Sequence, residues 1–548
     1  MAKQISYQSL TDIGLNGLNT QSNPASLDLS YLVKAENVVI RESGRIAFRK
    51  GLKQKVAPSG TAIASIHEHD DQGTNKIVVS YGTSIYVVDF TSPASAFPSS
   101  GADVKHTVSG SSGNWQFVNF NDRLHCFHAG IEPQRYDGSL SSGSRWTAHA
   151  TKPSTVSSNQ FKPTCGMGYY GRIWAGGVAE SPDVVYYSNL LDGDDWTGGD
   201  AGLIDLSKIW GIDDVIAIAP FYGKLVIFGK NNIVIYDRPE TVGSLALNEV
   251  IRGVGLVSRD TVQAIGDDLV FLSNTGLRSL GRTTEKDKLP LTDLSVNIKD
   301  TLIRNIGQSS NVKSVYVENE GIYIMSFVDK NITYVFDFKH FTPNNAPRIT
   351  TWTFDNDREP SSMAYTETYG LLVGQQDGGI AGYEGYYDTD LEGASTYTYS
   401  SYTSSIATTW INLGESIAAS FLKRLFLVLE GGSGATLGLK WYKDYSPSPS
   451  STTSITLNPT TTGTTSLWGA SSSLYGALNA SGAHSGGGHN ATLHSDASTY
   501  KPVYGLQEYR TPLTGSAKNL KISIDIQSNG YDASLQDLTL LHKQGKIR

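Results

Sequence analysis

The chain has 548 residues, with 44 Lys and Arg against 52 Asp and Glu for a formal net charge of −8, and 39% hydrophobic residues. That acidic balance, with basic runs no longer than residues 45–50 and 543–548, excludes a protein whose task is to grip duplex DNA by its phosphates. No apolar run reaches membrane-spanning length.

The opening MAKQISYQSLTDIGLNGLNT lacks the basic-then-apolar pattern of a secretory leader. The chain is therefore expected to be made and kept in a reducing cytoplasm, or released from it by lysis. Two cysteines, Cys126 and Cys165, make neither a disulfide framework nor a cysteine-based zinc site. They are expected as small buried apolar residues. The 56 glycines and 29 tyrosines favour many short strands joined by tight turns.

In chain order, compact apolar runs end on an aromatic or aliphatic residue followed by a turn. The landmarks are Tyr86, Tyr136, Tyr187, Tyr236, Leu280, Phe336 and Tyr383, spaced 44 to 56 residues apart. A period near 50 is in the range of β-propeller blades. Before each landmark lies a second apolar run interrupted by a turn residue, as a hairpin requires. The widest step contains 293–307, where Ile298, Leu302, Ile303 and Ile306 share a helical face between an N-cap at Ser295 and a stop at Gly307. One helix inserted between blades accounts for the extra length.

Beyond residue 400 the chain reads as a β-sandwich, with strands in 410–432, 438–445, 520–530 and 534–543. Residues 446–495 contain no Asp, Glu, Lys or Arg. Trp468 and Tyr475 within that tract favour an ordered loop at a subunit contact over disorder. The predicted architecture is all-β: a six- or seven-bladed propeller over 55–400 and a C-terminal sandwich over 401–548. Residues 1–54 form an N-terminal extension with propeller-closing strands.

Motifs that resemble chemistry each have a plainer account. Gly166-Met-Gly168-Tyr-Tyr-Gly171 matches a dinucleotide fingerprint, but a strand rather than a helix follows it. Ser188 to Trp196, with Asp192-Gly193, resembles the Asp-box turn of sialidase-like propellers, itself a turn element. His484, His489 and His494 recur at five-residue intervals beside Asp496, a spacing that reads as loop histidines rather than metal ligands. Asp89, Asp137, Asp237, Asp337 and Asp388 recur at the same place in successive units, as turn-capping residues do and a glycosidase pair does not. The sequence has no hydrolase elbow, zinc-protease motif or P-loop. No catalytic, cofactor-binding or metal residues are assigned, no cofactor is expected, and a non-enzymatic role is predicted.

Both termini carry a resemblance. Gly17-Leu-Asn-Thr20, Pro24, Ala35-Glu-Asn-Val38 and Gly44-Arg-Ile-Ala-Phe-Arg-Lys-Gly51 are similar to the opening of the tail nozzle proteins of short-tailed bacteriophages. These are also called tail tubular protein B or packaged-DNA stabilisation proteins. Residues 184–196, 253–280 and the ending 520–548 look like further segments of that family; the tract 446–495 has no counterpart there.

The resemblance implies a homo-oligomeric ring, a hexamer, in the virion tail, assembled in the host cytoplasm below the portal and its adaptor. Its lumen continues the exit channel for double-stranded DNA, part of it gates that channel, and tail fibres or spikes attach around it. The adaptor-contact and gate residues are not assigned. The hairpin at 35–49 is the expected closing element, paired with the last blade near 370–385. The acidic balance leads us to expect a neutral or electronegative lumen. The competing reading is a receptor- or glycan-binding propeller using the aromatic loops 386–390 and 396–402.

Overall fold

The computed structural model describes residues 5–41, 44–88, 97, 103–110, 113–157, 159–281, 293–309, 311–354, 358–385, 402–414, 419–432, 434–457, 506–527 and 532–544. Among them, the middle of the chain forms antiparallel sheets arranged as propeller blades. Their first strands are Ile63–Asp71, Gln116–Phe120, Cys165–Tyr169, Val215–Phe221, Gln263–Ile265, Val312–Val317 and Pro360–Thr366. Neighbouring first strands pack on one another except between the fourth and fifth blades, which meet through Ala217, Ala219, Leu269 and Phe271, and Pro360–Thr366 returns to Ile63–Asp71 to close the ring. Among the described residues, six blades have four strands and the fifth, at 263–279, has three.

The landmark residues take one structural position. Tyr86, Tyr136, Tyr187, Tyr236, Phe336 and Tyr383 lie on the third strand of their blades, and Leu280 directly follows the third strand Gly276–Ser279. That strand is buried on both faces between neighbouring blades, so it reads as a compact apolar run ended by a turn.

Closure differs from the expectation. The last blade is completed by Gly51–Val56, which pairs with Ile380–Gly385 through Tyr383↔Leu52 and Ile380↔Val56. The hairpin at 35–49 lies elsewhere: Val38–Ile40 and Ile46–Phe48 pair with each other, and Ile46 pairs with Leu535. Its strands are three residues each, and Val38, Ile46 and Phe48 are buried in the sandwich core. Gly51–Val56 is long enough to span a blade, and it buries Leu52 and Val56 on the propeller side.

The sixth blade continues into the sandwich. Its fourth strand, Pro347–Trp352, is followed by Leu32–Glu36, Thr403–Thr408, Asn519–Gln527, Thr436–Lys443 and Ser451–Thr456 in one ten-stranded sheet. The facing seven-stranded sheet is built on Ser420–Gly431 and Ala533–Gln544, with Ile5–Leu10 and Leu506–Pro512 beside them. Leu425, Leu427, Leu538 and Leu540 pack against Leu437, Leu439, Ile522 and Ile524. Propeller and sandwich thus share a sheet.

The inserted helix is Lys299–Ile306, preceded by a 3-10 turn at Val296–Ile298. Ile298, Leu302 and Ile306 are buried, but Ile303 is exposed. Ser295 does not cap it: its hydroxyl accepts the Leu277 N–H and donates to Asp293. Both cysteines are fully buried, and burial pushes the Cys165 thiol up to about 12.

Candidate functional site

Three polar constructions stand out. The first is the joint between propeller and sandwich. Asn37 follows Leu32–Glu36 with a left-handed φ of 56°, a conformation asparagine tolerates better than bulkier residues. Its amide donates to Thr353 Oγ1 at 2.8 Å and to the Thr403 carbonyl at 2.9 Å. Arg49, fully buried, donates to Asn37 Oδ1, the Lys50 carbonyl and the Thr353 carbonyl, and lies 4.0 Å from the Tyr402 ring centroid. One guanidinium therefore ties the N-terminal segment, the sixth blade and the first sandwich strand.

A second construction spans the propeller axis. The 3-10 turn Arg259–Thr261 leads into the fifth blade. Asp260 accepts Lys313 Nζ of the sixth blade at 2.8 Å and the Asn114 amide from the connection into the second blade. Asn114 also accepts the Ser65 hydroxyl of the first blade at 2.8 Å. Arg259 bonds Asp260 at 3.0 Å and reaches the Thr164 carbonyl, just before the third blade. Groups from five blades can meet in one place only at the axis, so this network braces one end of the central tunnel. Burial would raise the Asp260 carboxyl, but Arg259 and Lys313 hold it far below the usual range.

The third lies between the second and third blades. His125 Nδ1 and His149 Nε2 are 3.0 Å apart, and Asp194 Oδ1 is 3.8 and 3.7 Å from them. Arg135 pairs with the other Asp194 oxygen, with Arg123 at 3.8 Å. All three metal-capable side chains are buried. A point about 2.1 Å from all three atoms exists in a triangle of those sides, a zinc–ligand distance.

The tautomer opposes metal binding, however. Trp196 Nε1, a donor only, bonds His149 Nδ1 at 3.0 Å. That fixes the His149 proton on Nε2, from which it donates to His125 Nδ1. A metal on Nε2 would drive the proton onto Nδ1, against the indole N–H. The cluster is a directed chain of neutral imidazoles. Burial, reinforced by Arg135 and Arg123, pulls His125 down to about 3, and burial, reinforced by His125, pulls His149 well below its ordinary value.

This cluster was not singled out from sequence, and its members come from one strand and two loops. The available signal was Arg123-Leu-His125, polar residues alternating on a strand whose neighbour carries Arg135.

The motifs noted from sequence fall as follows. Gly166 to Gly171 is a hairpin, Cys165–Tyr169 paired with Arg172–Gly176. In the Asp-box-like turn, Asp195 accepts the Thr197 and Gly198 N–H groups while Trp196 is buried. Asp137 pairs with Arg123 at 2.8 Å and Asp237 with Lys224 at 3.3 Å, each at the end of a third strand opposite the start of the second. Asp337 accepts the Lys339 N–H at 2.9 Å. Asp89, Asp388, His484, His489, His494, Trp468, Tyr475 and the loop 386–390 lie outside the described residues, as does 396–402 except for Tyr402. A cavity of about 360 Å³ beside the joint is lined by Arg41, Lys50, Glu320 and Tyr383, among others. Its Lys50 and Glu320 are paired at 2.6 Å.

No family model matches the chain, and no curated protein matches it. Among solved structures, the chain is similar to Chaetomium thermophilum Raptor at 12% identity and TM-score 0.41, over 61% of this chain and 30% of that one. It is similar to the β-propeller domain of Myceliophteria thermophila Cps50 (Swd1) at 11% identity and TM-score 0.37, over 59% and 97%. It is also similar to the Neurospora crassa Pan2 WD40 domain at 8% identity and TM-score 0.37, over 61% and 96%. The match spans under a third of the Raptor chain.

Proposed function

We propose that this chain is a structural subunit of a short-tailed phage tail nozzle, one of roughly six in a closed ring whose lumen continues the DNA exit channel. It acts as a wall. It carries out no reaction and holds no cofactor, and its partners are further copies, the portal adaptor and tail fibres or spikes.

The observation that carries the reading is where the family-like N-terminal segment sits. Asn37 and Arg49, both within the resembling stretches, form the joint that makes propeller and sandwich one rigid piece. A channel wall under internal pressure needs that rigidity; a monomeric binding module does not. The axial brace supports the same reading. With Arg259, Asp260 and Lys313 across the tunnel, duplex passes beside each propeller rather than through it. A neutral or acidic lumen lets the duplex slide where a basic one would retain it.

Imaging the purified chain alone and on its adaptor tests this. A closed ring supports it. A stable monomer in both conditions, with measurable glycan affinity, favours the receptor-binding alternative instead.

A further inference from the structure

Two surfaces of this chain complement each other. The first lies at hairpin tips of the third and fourth blades. Tyr170, Leu190, Leu191 and Tyr222 are 45%, 47%, 66% and 68% exposed. They are contiguous: a Cβ on Gly171 would stand 3.1 Å from Leu190 and 3.3 Å from Leu191, and one on Gly223 would stand 3.6 Å from the Tyr170 hydroxyl.

Three of the four also carry left-handed backbone, with φ of 45° at Tyr170, 59° at Leu191 and 46° at Tyr222. A bulky residue there is strained. The matching turn of the second blade uses Asn121-Asp122, the chemistry such turns prefer. Tyrosine is not the residue such a turn selects, and although Tyr170 packs on Tyr169 and Tyr222 on Phe221, much of both rings stays exposed as apolar surface. Exposed Asp122, Asp192 and Glu240 lie on the neighbouring turns; of the basic groups there, Lys224 is paired with Asp237 and Arg238 is exposed two residues before Glu240.

The second surface is the outer face of the seven-stranded sandwich sheet, beside the sixth blade. Tyr7 and Phe421 are 70% and 49% exposed. Lys423, Arg424 and Arg510 are exposed among them, with the Arg510 guanidinium 5.6 Å from the Phe426 ring centroid. The strand register puts Tyr7 and Arg424 both opposite Leu541, and Phe426 opposite Arg510, so aromatic and basic groups alternate across one face. Glu508, paired with Arg510 at 2.5 Å, and Asp537 are acids on these strands.

One surface is apolar with an acidic rim; the other is apolar with an excess of basic groups. They lie on different parts of the molecule. We propose that they meet between copies, the sandwich face of one subunit seating on the third- and fourth-blade tips of the next. Such a contact joins unlike surfaces, so it propagates head to tail, and in the ring reading the rotation between copies closes. It rests on the ring reading above and supplies the residues that reading lacks.

The test is mass photometry of the full chain, alone and with its adaptor ring. Tyr222→Asn places a residue at ease in left-handed backbone, so its thermal midpoint should stay level or rise while ring dissociation increases at least about tenfold. Arg424→Glu and Glu240→Arg should each weaken the ring similarly, and the two together in one chain should restore it. A wild-type chain that forms no ring in either condition overturns the ring reading and this contact with it. A wild-type ring that survives Tyr222→Asn and Arg424→Glu unchanged overturns this contact alone.

Discussion

Arg49 Nε donates to Asn37 Oδ1 at 2.9 Å, and through that bond a buried guanidinium is shared between propeller and sandwich. The same guanidinium satisfies the Lys50 and Thr353 carbonyls. Replacing Arg49 with Met would strand the Lys50 and Thr353 carbonyls, each worth about 1–3 kcal/mol of desolvation, while Asn37 Oδ1 keeps the Thr353 N–H. A loss of about 3 kcal/mol or more is expected. Arg49→Lys should recover little, since an ammonium lacks the planar fork that reaches all three. Urea unfolding followed by tryptophan fluorescence measures both.

The axial brace makes a paired prediction. Asp260→Asn leaves Lys313 and Arg259, both mostly buried, without their counter-charge. The expected cost is about 3–5 kcal/mol, the range for breaking a buried pair from one side. Adding Lys313→Met should return part of that loss, because the stranded ammonium goes with it. A double-mutant cycle showing simple additivity would mean the two groups do not interact.

Acid should destabilise the fold through its buried histidines. Burial is the main cause that lowers His125 to about 3 and His67 to about 4, from an ordinary value of 6.5. Between those values and 6.5 the unfolded chain binds protons that the folded chain refuses, so stability falls as pH drops through that window. Above 6.5 their contribution is level. Each histidine should add a slope of up to about 1.4 kcal/mol per pH unit in the window. Unfolding curves at pH 7.5, 6 and 5 check this, and His125→Gln should flatten the slope.

The indole of Trp196 should also decide whether the His125–His149–Asp194 cluster takes a metal. With its N–H on His149 Nδ1, the wild-type cluster is closed to Co²⁺ used as a spectroscopic probe of a zinc-like site. Trp196→Phe removes that donor and frees the tautomer. The variant should show a tetrahedral Co²⁺ band that disappears when His125→Ala is added. A band of equal strength in the wild type would show that the indole exerts no such control.

Much of the propeller was legible because third strands, buried on both faces, leave compact apolar runs at constant spacing. Tyr136 and Tyr236 carry that signal plainly. The closing strand was not legible. Residues 35–49 read as the closing hairpin, and only the packing of Leu52 and Val56 against the last and first blades gives that role to 51–56. Ile303 fitted the helical face by period yet is exposed, since the buried stripe of a two-turn helix is narrow. The polar constructions were least visible. Asp260 meets Asn114, and Asp194 meets His125, across blades, and a linear period carries no trace of contacts made around a ring.

The central claim is that the propeller is part of a conduit's wall and is not itself a pore. Electron cryomicroscopy of the DNA-filled particle tests it most directly. The expected map has a closed ring of this chain, duplex density along the ring axis, and each propeller tunnel blocked at Arg259, Asp260 and Lys313. Duplex density inside a propeller tunnel, or a particle whose exit channel lacks this chain, would contradict it.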